Sequence, residues 1–278
     1  MRLITLSENT AGQPDVLAEW GLSILIEQKE RRILMDSGAG LSVIKNAELL
    51  GVDLTAIDTI ILSHGHYDHT GGLQQLLTAI GHEVTIVAHP DVFAPKYSRV
   101  KGKPERYIGL PFDRQKLEDL GARFILSREP VTITEKIITS GEIPMATDFE
   151  KIASSFIQKA GDVFIPDPLL DDLSVIISTP LGLVVVLGCA HRGMINILRH
   201  AREVTGQAKI HMVVGGSHLK DSKDEQVWLA ISALNEMGVQ KLAVCHCTGM
   251  PATLLLAQTY GKDFIFNQTG SVIEIKDN

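Results

Sequence analysis

Four side chains of metal-binding type stand within six residues in the run Ser63-His64-Gly65-His66-Tyr67-Asp68-His69-Thr70-Gly71-Gly72. The run follows the apolar stretch Thr59 to Leu62, which reads as a strand. It precedes Leu73, Leu76, Leu77 and Ile80, whose i, i+3, i+4, i+7 spacing puts one apolar face on a helix. A chain ordered in this way delivers its polar cluster at the carboxyl end of a strand, where open α/β sheets carry their ligands. In extended or turning backbone, residues two apart point the same way, so His64 and His66 can pinch one metal ion while Asp68 and His69 turn toward an adjacent one. Gly65, Gly71 and Gly72 let the backbone fold tightly, and neutral imidazoles with a carboxylate suit zinc, manganese or iron. The bland alternative is a polar surface turn, against which the density of the four groups speaks.

Three later segments repeat the placement of a histidine just behind an apolar strand: Gly188-Cys189-Ala190-His191, Gly215-Gly216-Ser217-His218 and Cys245-His246-Cys247-Thr248-Gly249. One such histidine is ordinarily structural, but four strand ends converging on one edge describe a site. The strands expected elsewhere are Leu22 to Ile26, Arg32 to Met35, Val84 to Ala88, Val175 to Ser178, Leu183 to Leu187, Ile210 to Val214, Lys241 to Val244 and Ser271 to Ile275. Helical patterns near Ile195 to Val204, Glu225 to Met237 and Ala252 to Tyr260 sit between several of them. Residues 91–172, interrupted by Pro95, Pro104 and Pro111, read as an irregular insertion over one face of a single domain spanning 1–278. Cys245 and Cys247 flank His246 and, in a strand, would face away from it as packing residues.

A length of 278 residues suits one large α/β sandwich, and a net charge of -7 gives no reason to expect attraction to nucleic acid or an anionic membrane. The apolar stretch Ile176 to Leu187 is broken by Pro180 and Gly182, so no membrane helix is expected. Met1 to Leu6 lacks the apolar core of a signal peptide. With three cysteines, Cys189, Cys245 and Cys247, the chain reads as cytoplasmic and free of disulfides. The partner expected is a small molecule.

The run His64 to His69 resembles the His-x-His-x-Asp-His signature of the metallo-β-lactamase superfamily, and Met35-Asp36-Ser37-Gly38 is similar to its first motif. Gly188 to His191, Gly215 to Leu219 and His246 to Gly249 resemble a narrower branch. It includes the archaeal dihydropterin-ribofuranosylaminobenzene phosphate synthase of methanopterin biosynthesis and many bacterial hydrolase-like proteins. The resemblance implies an αββα sandwich with one or two divalent transition-metal ions, zinc first, at one edge. It makes His64, His66, Asp68, His69 and His246 ligands, and Asp36 a carboxylate that orients a ligand imidazole. Many hydrolases of the superfamily carry a further histidine and a bridging aspartate. Here the comparable strand end has no aspartate; His191 is the candidate for the missing ligand and Cys189 either a soft ligand or a small core residue.

A metal-activated water makes hydrolysis the simplest expected outcome, with Asp68 and His218 as catalytic candidates. A transferase that joins a dihydropterin diphosphate to an aminobenzene ribofuranosyl phosphate is the alternative the resemblance implies, and a non-catalytic metal-binding module is a third. Lys96, Arg99 and Arg106, in a basic stretch, are expected to clamp an anionic substrate. A solvated basic loop is the plain alternative.

Overall fold

Alternate side chains part company along the strand Gly182–Leu187: Val184 and Val186 turn into one apolar core, whereas Leu183, Val185 and Leu187 turn into another. The period of two that a strand imposes gives every central strand here two buried faces, and that requires layers on both sides. The computed structural model describes residues 1–276 and supplies those layers.

Seven strands form the first sheet, in the order Val272–Glu274, Arg2–Ser7, Ser23–Gln28, Arg31–Met35, Thr59–Ile61, Val84–Ala88, Ala122–Leu126. Six form the second, in the order Lys241–Cys245, Ile210–Gly216, Gly182–Leu187, Ser174–Thr179, Ile137–Thr139, Thr132–Thr134. The core between the sheets draws Ile24, Ile33 and Ile61 from the first and Val175, Val184 and Val214 from the second. Outside the first sheet lie the helices Val43–Leu49 and Leu73–Ile80, which bury Val43, Leu73, Leu76 and Leu77. Outside the second lie Met194–Thr205, Asp224–Glu236 and Met250–Tyr260, which bury Ile197, Leu198, Val227, Leu234 and Leu256. The result is an αββα sandwich, in which each fully buried Leu, Ile or Val contributes roughly 1.5–3 kcal/mol against exposure.

Two differences from the expected elements have local causes. The strand Arg2–Ser7 was not anticipated, because one of its partners, Val272–Glu274, lies at the far end of the chain. Residues 91–172 are more regular than their prolines suggest. Ala122–Leu126 extends the first sheet and Thr132–Thr134 with Ile137–Thr139 extends the second. Lys96–Ser98, Arg106–Tyr107, Phe156–Ala160 and Val163–Pro166 form a third, four-stranded sheet. No helix among the described residues is long and apolar enough to cross a membrane.

Candidate metal centre

The parallel strands of both sheets end at the same seam. Asp36 follows Arg31–Met35, Ser63 and His64 follow Thr59–Ile61, Cys189 and His191 follow Gly182–Leu187, His218 follows Ile210–Gly216, and His246 follows Lys241–Cys245. Left-handed backbone recurs here, at Asp36 (φ 61°), Ala190 (φ 55°), His218 (φ 50°) and His246 (φ 54°). Each such residue costs on the order of 1–3 kcal/mol, strain that persists only where the surroundings over-determine it and that collects at functional sites.

The polar contacts orient the imidazoles. Asp36 Oδ2 accepts from Ser63 Oγ (2.7 Å) and from His69 Nδ1 (2.7 Å), while its Oδ1 accepts from Ser63 N (2.7 Å). Because the Ser63 hydroxyl proton goes to Asp36, Ser63 Oγ is left to accept from His64 Nδ1 at 2.9 Å. His246 Nδ1 donates to Asn9 Oδ1 at 2.9 Å, and Glu8 Oε1 accepts the His246 backbone N–H at 2.8 Å. His64 and His246 therefore present a bare Nε2 lone pair, and His69 aims its Nε2 outward in the same way and bares it on giving up the proton that Asp36 and Asp68 favour, the arrangement by which outer partners fix a ligand tautomer.

Those nitrogens fall into two groups. His64 Nε2 lies 2.9 Å from His66 Nδ1 and 3.2 Å from His191 Nε2. Asp68 Oδ2 lies 3.9 Å from His69 Nε2 and 3.5 Å from His246 Nε2. Cys189 Sγ is 3.1 Å from His69 Nε2. Among the described residues, buried His66 Nε2, His191 Nδ1, His218 Nδ1 and His246 Nε2 find no hydrogen-bond partner. The close approach of His66 Nδ1 and His191 Nε2 to His64 Nε2, with His246 Nε2 unpartnered beside Asp68, fits a cation, since one proton cannot serve all these contacts. Burial pushes His66 down to about 3, and burial with neighbouring imidazoles takes His64 and His191 well below the usual range, so these rings stay neutral and ready to ligate. Burial opposes charge on His69 as well, but Asp36 and Asp68 beside it win and push it up to about 9. Burial likewise opposes charge on Asp68, and His69 and His246 hold it below the usual carboxylate range.

A cleft of about 330 Å³ opens over the two groups, walled by Trp20, Tyr67, Lys103, Arg106 and Phe156 and floored by His66, Asp68, Cys189, His191 and His246. Arg106 lies over the Tyr67 ring, 5.1 Å from its centre. Among the described residues neither Lys103 nor Arg106 forms an ion pair.

Four expectations need correction. Lys96 is 1% exposed, with Nζ donating to Asp167 (2.9 Å) and Asp171 (2.8 Å), so its charge is consumed inside the fold and is not available to a substrate. Arg99 pairs with Glu105 at 3.0 Å and stands outside the cleft wall. His218 also stays out of that wall, its ring against His191 at 4.3 Å between centres. Cys247 departs from its expected packing role because the strand stops at Cys245 and His246–Thr248 forms a 3₁₀ turn, which brings Cys247 into the cleft lining with its sulfur against the Cys189 carbonyl and the His218 backbone N–H. Ser63, Asn9, Glu8, Trp20 and Phe156 were not singled out from the sequence. Only Ser63 carried a signal, its place directly before His64.

Residues 21–246 match the metallo-beta-lactamase superfamily. The chain is similar to the 7,8-dihydropterin-6-methyl-4-(beta-D-ribofuranosyl)-aminobenzene-5'-phosphate synthase of Methanocaldococcus jannaschii, with 33% identity covering 99% of this chain and 96% of that protein. An uncharacterised protein of the same organism is 29% identical over 97% of this chain and 98% of its own length. The crystal structure of Tm1679, a metal-dependent hydrolase of the beta-lactamase superfamily, superposes with a TM-score of 0.86 at 29% identity, covering 100% of both chains.

Proposed function

The chain belongs to the metallo-beta-lactamase superfamily, and on that premise we propose that it is a metal-dependent hydrolase of a small phosphate or diphosphate ester carrying a flat ring. The observation that carries this reading is one cleft with the clustered imidazoles in its floor and unpaired Lys103 and Arg106 in its wall. His64 Nε2, His66 Nδ1 and His191 Nε2 would hold one ion, and Asp68, His69 Nε2 and His246 Nε2 would hold a second. When bound, such ions, zinc first, supply Lewis acidity and bring the pKa of water toward neutrality. Arg106 grips a phosphate as a planar fork and Lys103 as a point charge. Trp20 and Phe156 offer faces to a ring. Asp68, kept anionic, orients water by accepting its hydrogen, while His218 positions the His191 ring.

The test is a double charge reversal, Lys103→Glu with Arg106→Glu, assayed with p-nitrophenyl phosphate and p-nitrophenyl acetate. Losing two charged contacts predicts phosphate-ester binding weakened on the order of 10-fold or more, with neutral-ester binding and metal content nearly unchanged. An equal response of both esters removes the phosphate preference.

A second reading is favoured by the 33% identity with the M. jannaschii synthase over nearly the whole chain. Here the same cleft joins a dihydropterin diphosphate to an aminobenzene ribofuranosyl phosphate with release of pyrophosphate. Pyrophosphate that appears only when both substrates are present selects it; metal binding with turnover of neither substrate class selects a non-catalytic module.

A further inference from the structure

We propose that Cys189 is a thiolate bridge between the two ions. This rests on the two-ion reading above and goes beyond it by naming the group that joins the two ions. The Cys189 sulfur lies within 4.8 Å of the ligand nitrogens of His64 and His191, and equally within 4.8 Å of those of His69 and His246. Cys189 is the one residue common to both sets. Its surroundings are those of a ligand: it is 3% exposed yet outside all three apolar cores, its sulfur meets His69 Nε2 at 3.1 Å, and it lies in the cleft floor. Cys245 shows the contrast, since it belongs to the core between the sheets and its sulfur accepts from the side-chain amide of Asn267. The backbone is shaped to deliver the sulfur. Gly216 lies against the Cys189 main chain, where a Cβ would sit 3.2 Å from Cys189 Cα and 2.6 Å from Cys247 Sγ, and Ala190 turns the chain through left-handed backbone.

On ligation the S–H bond breaks heterolytically, the proton leaves to solvent and the sulfur lone pairs go to the ions, with no change in oxidation state. A soft bridge favours zinc, cobalt or cadmium over manganese, which prefers oxygen.

Stripped protein reloaded with cobalt(II) tests the idea. The wild type should develop a near-ultraviolet sulfur-to-cobalt charge-transfer band that Cys189→Ser lacks and Cys247→Ser keeps. Cys189→Ser should also weaken ion binding by at least the roughly 10- to 100-fold that outer partners of a ligand contribute. X-ray absorption of the zinc-loaded wild type, which needs no variant to fold, should show a sulfur scatterer at about 2.3 Å. Cobalt visible-region bands without the charge-transfer band, or a zinc shell of nitrogen and oxygen alone, overturn the thiolate bridge and leave the two-ion reading standing. A charge-transfer band that survives in Cys189→Ser assigns the sulfur elsewhere and also overturns it. A wild type that binds neither ion overturns both.

Discussion

Asp171 couples the metal run to a buried charge. Its Oδ2 accepts the backbone N–H of Gly65, between His64 and His66, at 2.8 Å, and its Oδ1 receives Lys96 Nζ at 2.8 Å. Lys96 also satisfies Asp167, and all three side chains are buried. Removing the lysine alone strands two carboxylates in low dielectric, so Lys96→Met is expected to cost about 3–5 kcal/mol of unfolding free energy in urea titrations. A loss below about 1 kcal/mol would show that the triad is not the anchor of the run. The ligand assignment makes a separate prediction. His64→Ala with His66→Ala should lose bound metal by elemental analysis, and His191→Ala should weaken affinity on the order of 10-fold or more; metal content equal to wild type in the double variant refutes the site. At this scale the sequence was legible where chemistry is concentrated, as in the run His64 to His69. It was illegible where partners are remote: the acids that bury Lys96 lie 71 and 75 residues away, and Asn9 meets His246 across 237.

The strand end, more than the strand, is the unit that builds the centre. Gly188 closes Gly182–Leu187 directly against Ser63, so a Cβ there would collide with Ser63 Oγ and come within 3.4 Å of Asp36 Oδ2. Gly188→Ala must therefore displace the serine that fixes the His64 ring. Overpacking of this kind typically costs about 1–3 kcal/mol, and here metal affinity should fall with it, readable as a lower melting temperature and a raised dissociation constant for zinc. Lower stability with unchanged zinc affinity would separate Ser63 from the ligand geometry. The apolar runs of Val84–Ala88, Gly182–Leu187 and Ile210–Gly216 made these strands readable within about a residue or two, because strands buried on both faces need continuous Val, Ile and Leu. What the pattern could not give was how each strand terminates. Periodicity continues Lys241–Cys245 into Cys247, whereas the positive φ of His246 ends it, and that single turn brings Cys247 to the cleft.

The whole molecule places these ends in one seam between its two sheets, which buries four imidazoles with opposite tendencies and so gives the ion-free protein a definite pH profile. Sandwich class and the shared edge were legible, since parallel strands of both sheets end in histidine-bearing turns; the path of residues 91–172 into three sheets was not, because short edge strands carry little apolar signal. Below about pH 6.5 the unfolded chain protonates histidines that the folded chain keeps neutral: His66, down at about 3, and His64 and His191, well below 6.5. The unfolded state then binds more protons, so stability falls as pH falls, by about 1.4 kcal/mol per pH unit for each such histidine. His69 acts in the opposite sense. Raised to about 9 from 6.5, it adds stability that is complete below pH 6.5 and is lost as pH rises through 9. Asp172, which burial raises to about 7, binds a proton only in the folded state across the acid range and so offsets one of the three histidines; the stripped protein should still lose stability below pH 6.5, and lose it again above about 7 as His69 and Asp172 deprotonate, in denaturant titrations run from pH 5 to 10. Zinc requires the unprotonated Nε2 of His69, so loading should release that proton and flatten the alkaline limb, while the acid limb steepens as protons compete with the metal. A stripped protein whose stability does not change between pH 5 and 6.5 would mean that His64, His66 and His191 are not buried together as neutral rings.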